Sequence, residues 1–313
     1  MDERVRAILE QSTTKTSKIQ QLLLLGLTRR EIADLVTRGN YGFVYNVYKK
    51  MLERGTFVPN HGEQEPAPVL DYSFTRRFGV EIEAYNCTRE KLIRELREAG
   101  IQVSFEGYTH CTTEHWKLVT DASLNGNNTF ELVSPILAGE AGLMELETVC
   151  WVLDLCDVKV NDSCGFHVHM DAASFSMETW KNLALTYKHL EPVIDSFMPG
   201  SRRNNEYCQS LHGISETAIR GASTITDLQH VFNNRRYYKL NLEAYSRHRT
   251  VEFRQHSGTT NFTKMEKWIR FLNGLVTFAK AGNLPARTSL ESLPFLGDKE
   301  KLFFKLRTKK LAV

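Results

Sequence analysis

The sequence predicts an α+β protein with a mainly antiparallel sheet and helices, preceded by a small all-α module. Three observations lead there. Segments with period-two apolar alternation come in consecutive runs between helical stretches, which favours antiparallel pairing over a strict βαβ repeat. Residues 16–53 carry helical periodicity only. A chain of 313 residues sits at the upper end of what one core serves, so a large domain plus a small one is expected.

Residues 16–53 read as three short helices. The first places Ile19, Leu22 and Leu23 on one face and stops at Gly26. The second opens with a capping box, Thr28 and Glu31, and continues with Ile32, Leu35 and Val36. Thr37-Arg38-Gly39-Asn40 makes a turn, and the third helix runs from about Tyr41 to Glu53 with Val44, Val47 and Met51 inward. This arrangement resembles a helix-turn-helix domain over residues 1–55. In one reading the third helix enters a major groove with Asn40, Tyr41, Tyr45, Asn46, Tyr48 and Lys49. In the other the bundle docks a protein. Residues 56–73, with Pro59, Gly62, Pro66 and Pro68, read as a linker.

The body, 74–313, begins with a strand over Arg76–Asn86 and a helix over Thr88–Ala99. Strands follow at Ile101–Phe105, His115–Val119 and Thr129–Val133, then a helix at Gly142–Cys156. A strand at Phe166–Met170 leads into a long helix, Met177–Phe197. Arg236–Tyr245 and Thr250–Gln255 read as a strand pair, and Phe262–Lys280 as a helix.

Charge is unevenly placed. Residues 1–55 hold ten Lys/Arg against six Asp/Glu, while the rest of the chain holds 30 against 31. That pattern suggests a polyanion contact by the module. No apolar run is long enough for a membrane-spanning helix. Six cysteines without a Cys-x-x-Cys pair read as reduced thiols. With no secretory leader visible behind Met1, the expected location is the cytoplasm. There is no Walker or Gly-x-Gly-x-x-Gly loop, which argues against a P-loop or Rossmann nucleotide site.

The chemistry concentrates on four apolar strands. Residues two apart share a face. Glu81 and Glu83 share one, as do His167 and His169, and Glu252 and Arg254, while Glu131 is a lone acid in Phe130-Glu131-Leu132-Val133. Each pair alone fits a solvated sheet face. Together they offer four carboxylates, two imidazoles and one guanidinium, which fits oxygen-rich Mg²⁺ or Mn²⁺ sites and lacks the thiolates of structural zinc. An arginine beside metal-binding acids suits a transferring phosphoryl group.

These motifs resemble the amidoligase family, relatives of glutamine synthetase and glutamate–cysteine ligase. The resemblance covers about residues 74–281. It rests on Phe78-Gly79-Val80-Glu81-Ile82-Glu83, Asp121-Ala122-Ser123-Leu124 with Glu131-Leu132-Val133-Ser134-Pro135, Gly165 to Asp171, and Thr250 to Thr259. It implies a curved, mainly antiparallel sheet forming a funnel, with ATP and two divalent cations inside. It also implies a reaction in which ATP phosphorylates a carboxylate and an amine then displaces the phosphate. Glu83 and Glu131 would hold one metal; Glu81, His167 and Glu252 would hold the other. Arg254 would neutralise the moving phosphoryl group, and His169 would lie near the nucleotide phosphates or the substrate.

Asp121 has two readings: a carboxylate that holds the incoming amine and takes its proton, or a turn-forming residue before Ser123. Arg202 and Arg203 either grip a phosphate or carboxylate or stay solvated. Lys239 and Asn241 share a strand face and would line the funnel, Lys239 toward the nucleotide. The body is shorter than glutamine synthetase, so ammonia and glutamate specificity do not carry over. The partners expected are small-molecule or peptide carboxylates and amines, with a nucleic acid or protein recruited through residues 16–53 and no membrane. Two rival readings stand beside the ligase: a DNA-binding regulator with a degenerate ligand-sensing body, and a metal-dependent hydrolase.

Overall fold

The computed structural model describes residues 3–56, 73–107, 109, 111–282 and 289–312. The chain divides into two compact units, Met1–Val69 and Leu70–Val313. The expected linker, 56–73, lies almost wholly outside the described residues.

The first unit holds four helices among the described residues: α1 (Glu3–Glu10), α2 (Lys15–Leu24), α3 (Arg29–Thr37) and α4 (Tyr41–Glu53). The first was not expected from sequence; only Val5 and Ile8 mark its buried face. The capping box of α3 forms, with the Glu31 amide donating to Thr28 Oγ1 and Thr28 N donating to Glu31 Oε2. Arg38 and Gly39 both adopt left-handed φ, 54° and 87°, so the chain reverses tightly. The Asn40 side chain then caps α4 by accepting from Phe43 N. Its Oδ1 is thereby engaged at the helix start. Ile19, Leu22, Ile32, Ala33, Val44 and Met51 form the core of this unit. On the outer face of α4, Tyr41 and Tyr45 are exposed. The Arg29 guanidinium lies 5.9 Å from each of these rings and 4.7 Å from the Tyr48 ring.

The second unit is α+β, as expected. Its strands are β1 (Arg77–Ala84), β2 (Val103–Gly107), β3 (Trp116–Val119), β4 (Phe130–Val133), β5 (Leu137–Ala138), β6 (Gly165–Asp171), β7 (Leu240–Asn241) and β8 (Thr250–Ser257). They form one sheet in the order β2-β3-β4-β1-β6-β8-β7, with β5 on the end of β1. Every pairing is antiparallel except β2 with β3. The helices are α5 (Arg89–Glu98), α6 (Gly139–Leu155), α7 (Met177–Ser196), α8 (Glu216–Gly221), α9 (Ile225–Val231), α10 (Ala244–His248), α11 (Phe262–Lys280) and α12 (Asp298–Leu311).

Alternation decides which face is which. Val80 and Ile82 of β1, Phe166 and Val168 of β6, and Val251 and Phe253 of β8 point to the helical side. There they join Leu183, Tyr187, Trp268 and Leu272 of α7 and α11 in one core. Tyr187 packs on Phe253 with ring centroids 5.6 Å apart. The intervening positions, which carry the acids and histidines, are forced onto the other face.

One expected strand is corrected. Arg236–Tyr245 shrinks to the two residues of β7. Asn241 Oδ1 accepts from the Glu243 amide at 2.9 Å, which turns the chain out of the sheet and into α10. Alternation therefore does not extend back to Lys239. That side chain lies buried, with Nζ 2.8 Å from Glu191 Oε1 and 2.7 Å from Asp195 Oδ1 of α7.

Candidate active site

Register brings the acids together. Glu81 stands opposite His167 across β1 and β6, Glu83 opposite Glu131 across β1 and β4, and His169 opposite Glu252 across β6 and β8. Asn241 of β7 faces Glu252 in turn. These side chains line a cavity of about 610 Å³, with Asp121, Lys117, Arg254 and Thr250 also on its wall.

At its centre His167 Nδ1 lies 3.0 Å from Glu81 Oε2 and 3.6 Å from Glu252 Oε1, while its Nε2 lies 3.6 Å from Glu83 Oε1. One donor atom from each of Glu81, His167 and Glu252 falls within 4.8 Å of the others. His169 Nε2 reaches Glu81 Oε1 at 3.2 Å, and its Nδ1 reaches Thr250 Oγ1 at 2.9 Å. Arg254 Nη1 donates to Glu252 Oε1 at 2.5 Å, and its Nε donates to the Tyr207 carbonyl at 3.2 Å. Asn241 Nδ2 holds the other Glu252 oxygen. The Glu83 Oε2 atom accepts from the Gly165 amide.

Gly165 is a requirement of this packing. A Cβ there would sit 2.6 Å from His167 Nε2, 2.9 Å from Arg202 Nη2 and 3.2 Å from Glu83 Oε2. Only glycine lets the β6 backbone come this close to the acids.

Burial opposes ionisation of Glu81, but the imidazoles bonded to its oxygens hold its pKa well below the usual carboxylate range. Burial likewise works against Glu252, and Arg254 brings it down. Glu131 goes the other way: burial, then the negative charges of Glu81 and Glu83, push it well up. Clustered oxygens with one imidazole nitrogen form a hard, oxygen-rich donor set, which fits a Mg²⁺- or Mn²⁺-type cation.

The remaining expected residues fall out as follows. Asp121 lies on the cavity wall, and its Oδ1 accepts from the amide and hydroxyl of Ser123, each at 2.7 Å. Turn and site position therefore coexist. Arg202 is buried behind the acids and donates to the main-chain carbonyl of Arg254. Among the described residues its Nε has no hydrogen-bond partner. Arg203 donates from Nε to the Met198 carbonyl. Lys239 does not line the cavity; its two carboxylate partners hold it on the helical side of the sheet. Sequence reasoning missed Thr250, although it shares the face of Glu252 and Arg254. It also missed Lys117, a lone charge in an apolar strand with the same signature as Glu131.

A family model described as "Putative amidoligase enzyme" matches residues 74–276. The chain belongs to the amidoligase family. The matched span contains every strand of the sheet and all the residues just placed in the cavity. An amidoligase is a ligase, and the amidoligase body here has no helix long and apolar enough to cross a membrane among its described residues. No curated protein matches the chain.

Proposed function

We propose that the body is an ATP-dependent carboxylate–amine ligase that forms an amide through an acyl phosphate. The observation that carries this reading is the convergence of Glu81, Glu83, Glu131, Glu252 and His167 on one sheet face beside Arg254. Glu81, His167 and Glu252 would hold one divalent cation, Glu83 and Glu131 a second. When bound, Mg²⁺ or Mn²⁺ supplies positive charge to the phosphoryl oxygens of ATP.

The chain's own residues do the rest. Arg254 is pinned by Glu252 and by the Tyr207 carbonyl, so its fork is oriented before substrate arrives. It offers its remaining donors to the phosphoryl group passing to the carboxylate. His169, tied to Glu81 and Thr250, would contact the nucleotide phosphates. Asp121 attracts the ammonium form of the amine and takes its proton, freeing the lone pair for attack on the acyl carbon. An intact acid set beside an arginine favours catalysis over ligand sensing. The direct check is thermal stabilisation by ATP with Mg²⁺, which binding to the native state alone must produce. A chain indifferent to the nucleotide at millimolar concentration would not be this ligase.

Residues 1–55 we read as a helix-turn-helix module that recruits the ligase to a nucleic acid. The local charge excess and the exposed Tyr41 and Tyr45 beside Arg29 support it. Binding by the isolated module should weaken steeply with salt. Salt-insensitive capture of a protein instead would make it an adaptor.

A further inference from the structure

Among the described residues two lysines are deeply buried, Lys117 on β3 and Lys239 just before β7, and they are treated oppositely. Lys239 is neutralised by Glu191 and Asp195. Lys117, on β3, is 3% exposed, and its Nζ donates to the main-chain carbonyl of Cys111; among the described residues it forms no ion pair. Glu106 of neighbouring β2 is engaged by His115 Nε2 at 3.1 Å, and Asp121 is engaged by Ser123. An ammonium has three donors and a cost of burial that one neutral oxygen does not offset. Lys117 also lines the catalytic cavity. We infer that Lys117 is an oxyanion-binding residue, taking a carboxylate or phosphate group of a ligand seated on this face.

Register places it. Lys117 pairs with Val133, Val133 with Glu81, and Glu81 with His167, so all lie in one cross-strand row. At about 4.8 Å per strand, Lys117 stands about 10 Å from Glu81 along the row. It lies on the flank away from β8 and Arg254. A ligand across the acids therefore meets a cation at each end, Arg254 on one side and Lys117 on the other. The role of the anion as part of a ligase substrate rests on the reading above; the anion site itself does not.

The test uses the full chain without ATP. Melting temperature and calorimetric affinity are measured for acetate, succinate, inorganic phosphate and Mg²⁺–ADP, in wild type, Lys117→Met and Lys117→Arg. Methionine keeps length and burial while removing the charge; arginine keeps the charge. Wild type should bind at least one of these probes saturably. Lys117→Met should weaken that binding about tenfold or more, the loss expected of a charge-assisted hydrogen bond, and Lys117→Arg should retain most of it. Loss confined to acetate and succinate assigns a substrate carboxylate; loss confined to phosphate and ADP assigns a phosphate. No saturable probe in wild type overturns the inference. So does equal affinity in Lys117→Met, or equal loss in both variants. Failure of Mg²⁺–ADP alone, with succinate binding intact and sensitive to Lys117→Met, would count against the ligase reading and leave the anion site standing.

Discussion

Replacing Gly165 with alanine should damage metal binding more than folding. The new Cβ would lie 2.6 Å from His167 Nε2, so the ring must retreat by about 0.8 Å to reach ordinary contact at 3.4 Å. His167 is 2% exposed and has little room to move. Overpacking of this kind costs about 1–3 kcal/mol, and about 2–4 °C of melting temperature per kcal/mol in a domain this size. Metal ligation tolerates far less, about 0.2 Å. A tenfold or greater loss of cation affinity is therefore expected. The assay is a thermal melt titrated with Mn²⁺ in the absence of nucleotide. At 100 times its dissociation constant an ion adds about 2.7 kcal/mol to wild type, and a tenfold weaker site loses about 1.3 kcal/mol of that. Mn²⁺-dependent stabilisation equal in Gly165→Ala and wild type would refute the assignment of His167 as a ligand.

Three further outcomes are expected. Arg254→Lys keeps the charge but loses the planar fork, so turnover should fall on the order of a hundredfold while ATP binding persists; normal turnover with weakened binding would move Arg254 into ground-state recognition. Lys239→Met should destabilise by about 3 kcal/mol by leaving Glu191 and Asp195 uncompensated, with nucleotide affinity unchanged; a stable variant that binds ATP poorly would restore its role as a nucleotide contact. His256 is held neutral because burial, and then Arg307, push its pKa well below the usual value. Its Nδ1 lies 2.7 Å from the Ser257 carbonyl and its ring packs on Phe166 and Trp268. The unfolded chain takes up this proton below about pH 6.5, so stability is full above that pH and falls by up to about 1.4 kcal/mol per unit below it, until the folded group titrates. Wild type should lose stability between pH 6.5 and 5 more steeply than His256→Gln, and equal slopes would contradict this.

How much was legible in the sequence follows from range. Alternation within β1, β6 and β8 is local, so the shared face of Glu81 with Glu83, and of Glu252 with Arg254, could be read directly. Long helices such as α11 were equally plain, although the Asn261 side chain that caps it by accepting from Lys264 N was not read. The short α8 and α9 were not read, although the Thr224–Asp227 capping box marked the second. Strand β7 failed because Leu240 and Leu242 suggest a strand while the Asn241 turn ends it. Lys239 failed for a longer-range reason: its partners, Glu191 and Asp195, lie more than forty residues away, on a helix whose packing the strand pattern cannot reveal. The need for glycine at Gly165 was also invisible, since it depends on His167, Arg202 and Glu83 arriving together.

The most direct measurement is ADP release with an oxygen-18 label in the carboxylate, screened across pairs of acids and amines. If the body is a ligase working through an acyl phosphate, some pair should release ADP only when both are present, and one labelled oxygen should appear in the inorganic phosphate. Arg254→Lys should suppress both signals together. Amide formation with no label in the phosphate, or ADP release that ignores the amine and persists in Arg254→Lys, would contradict it.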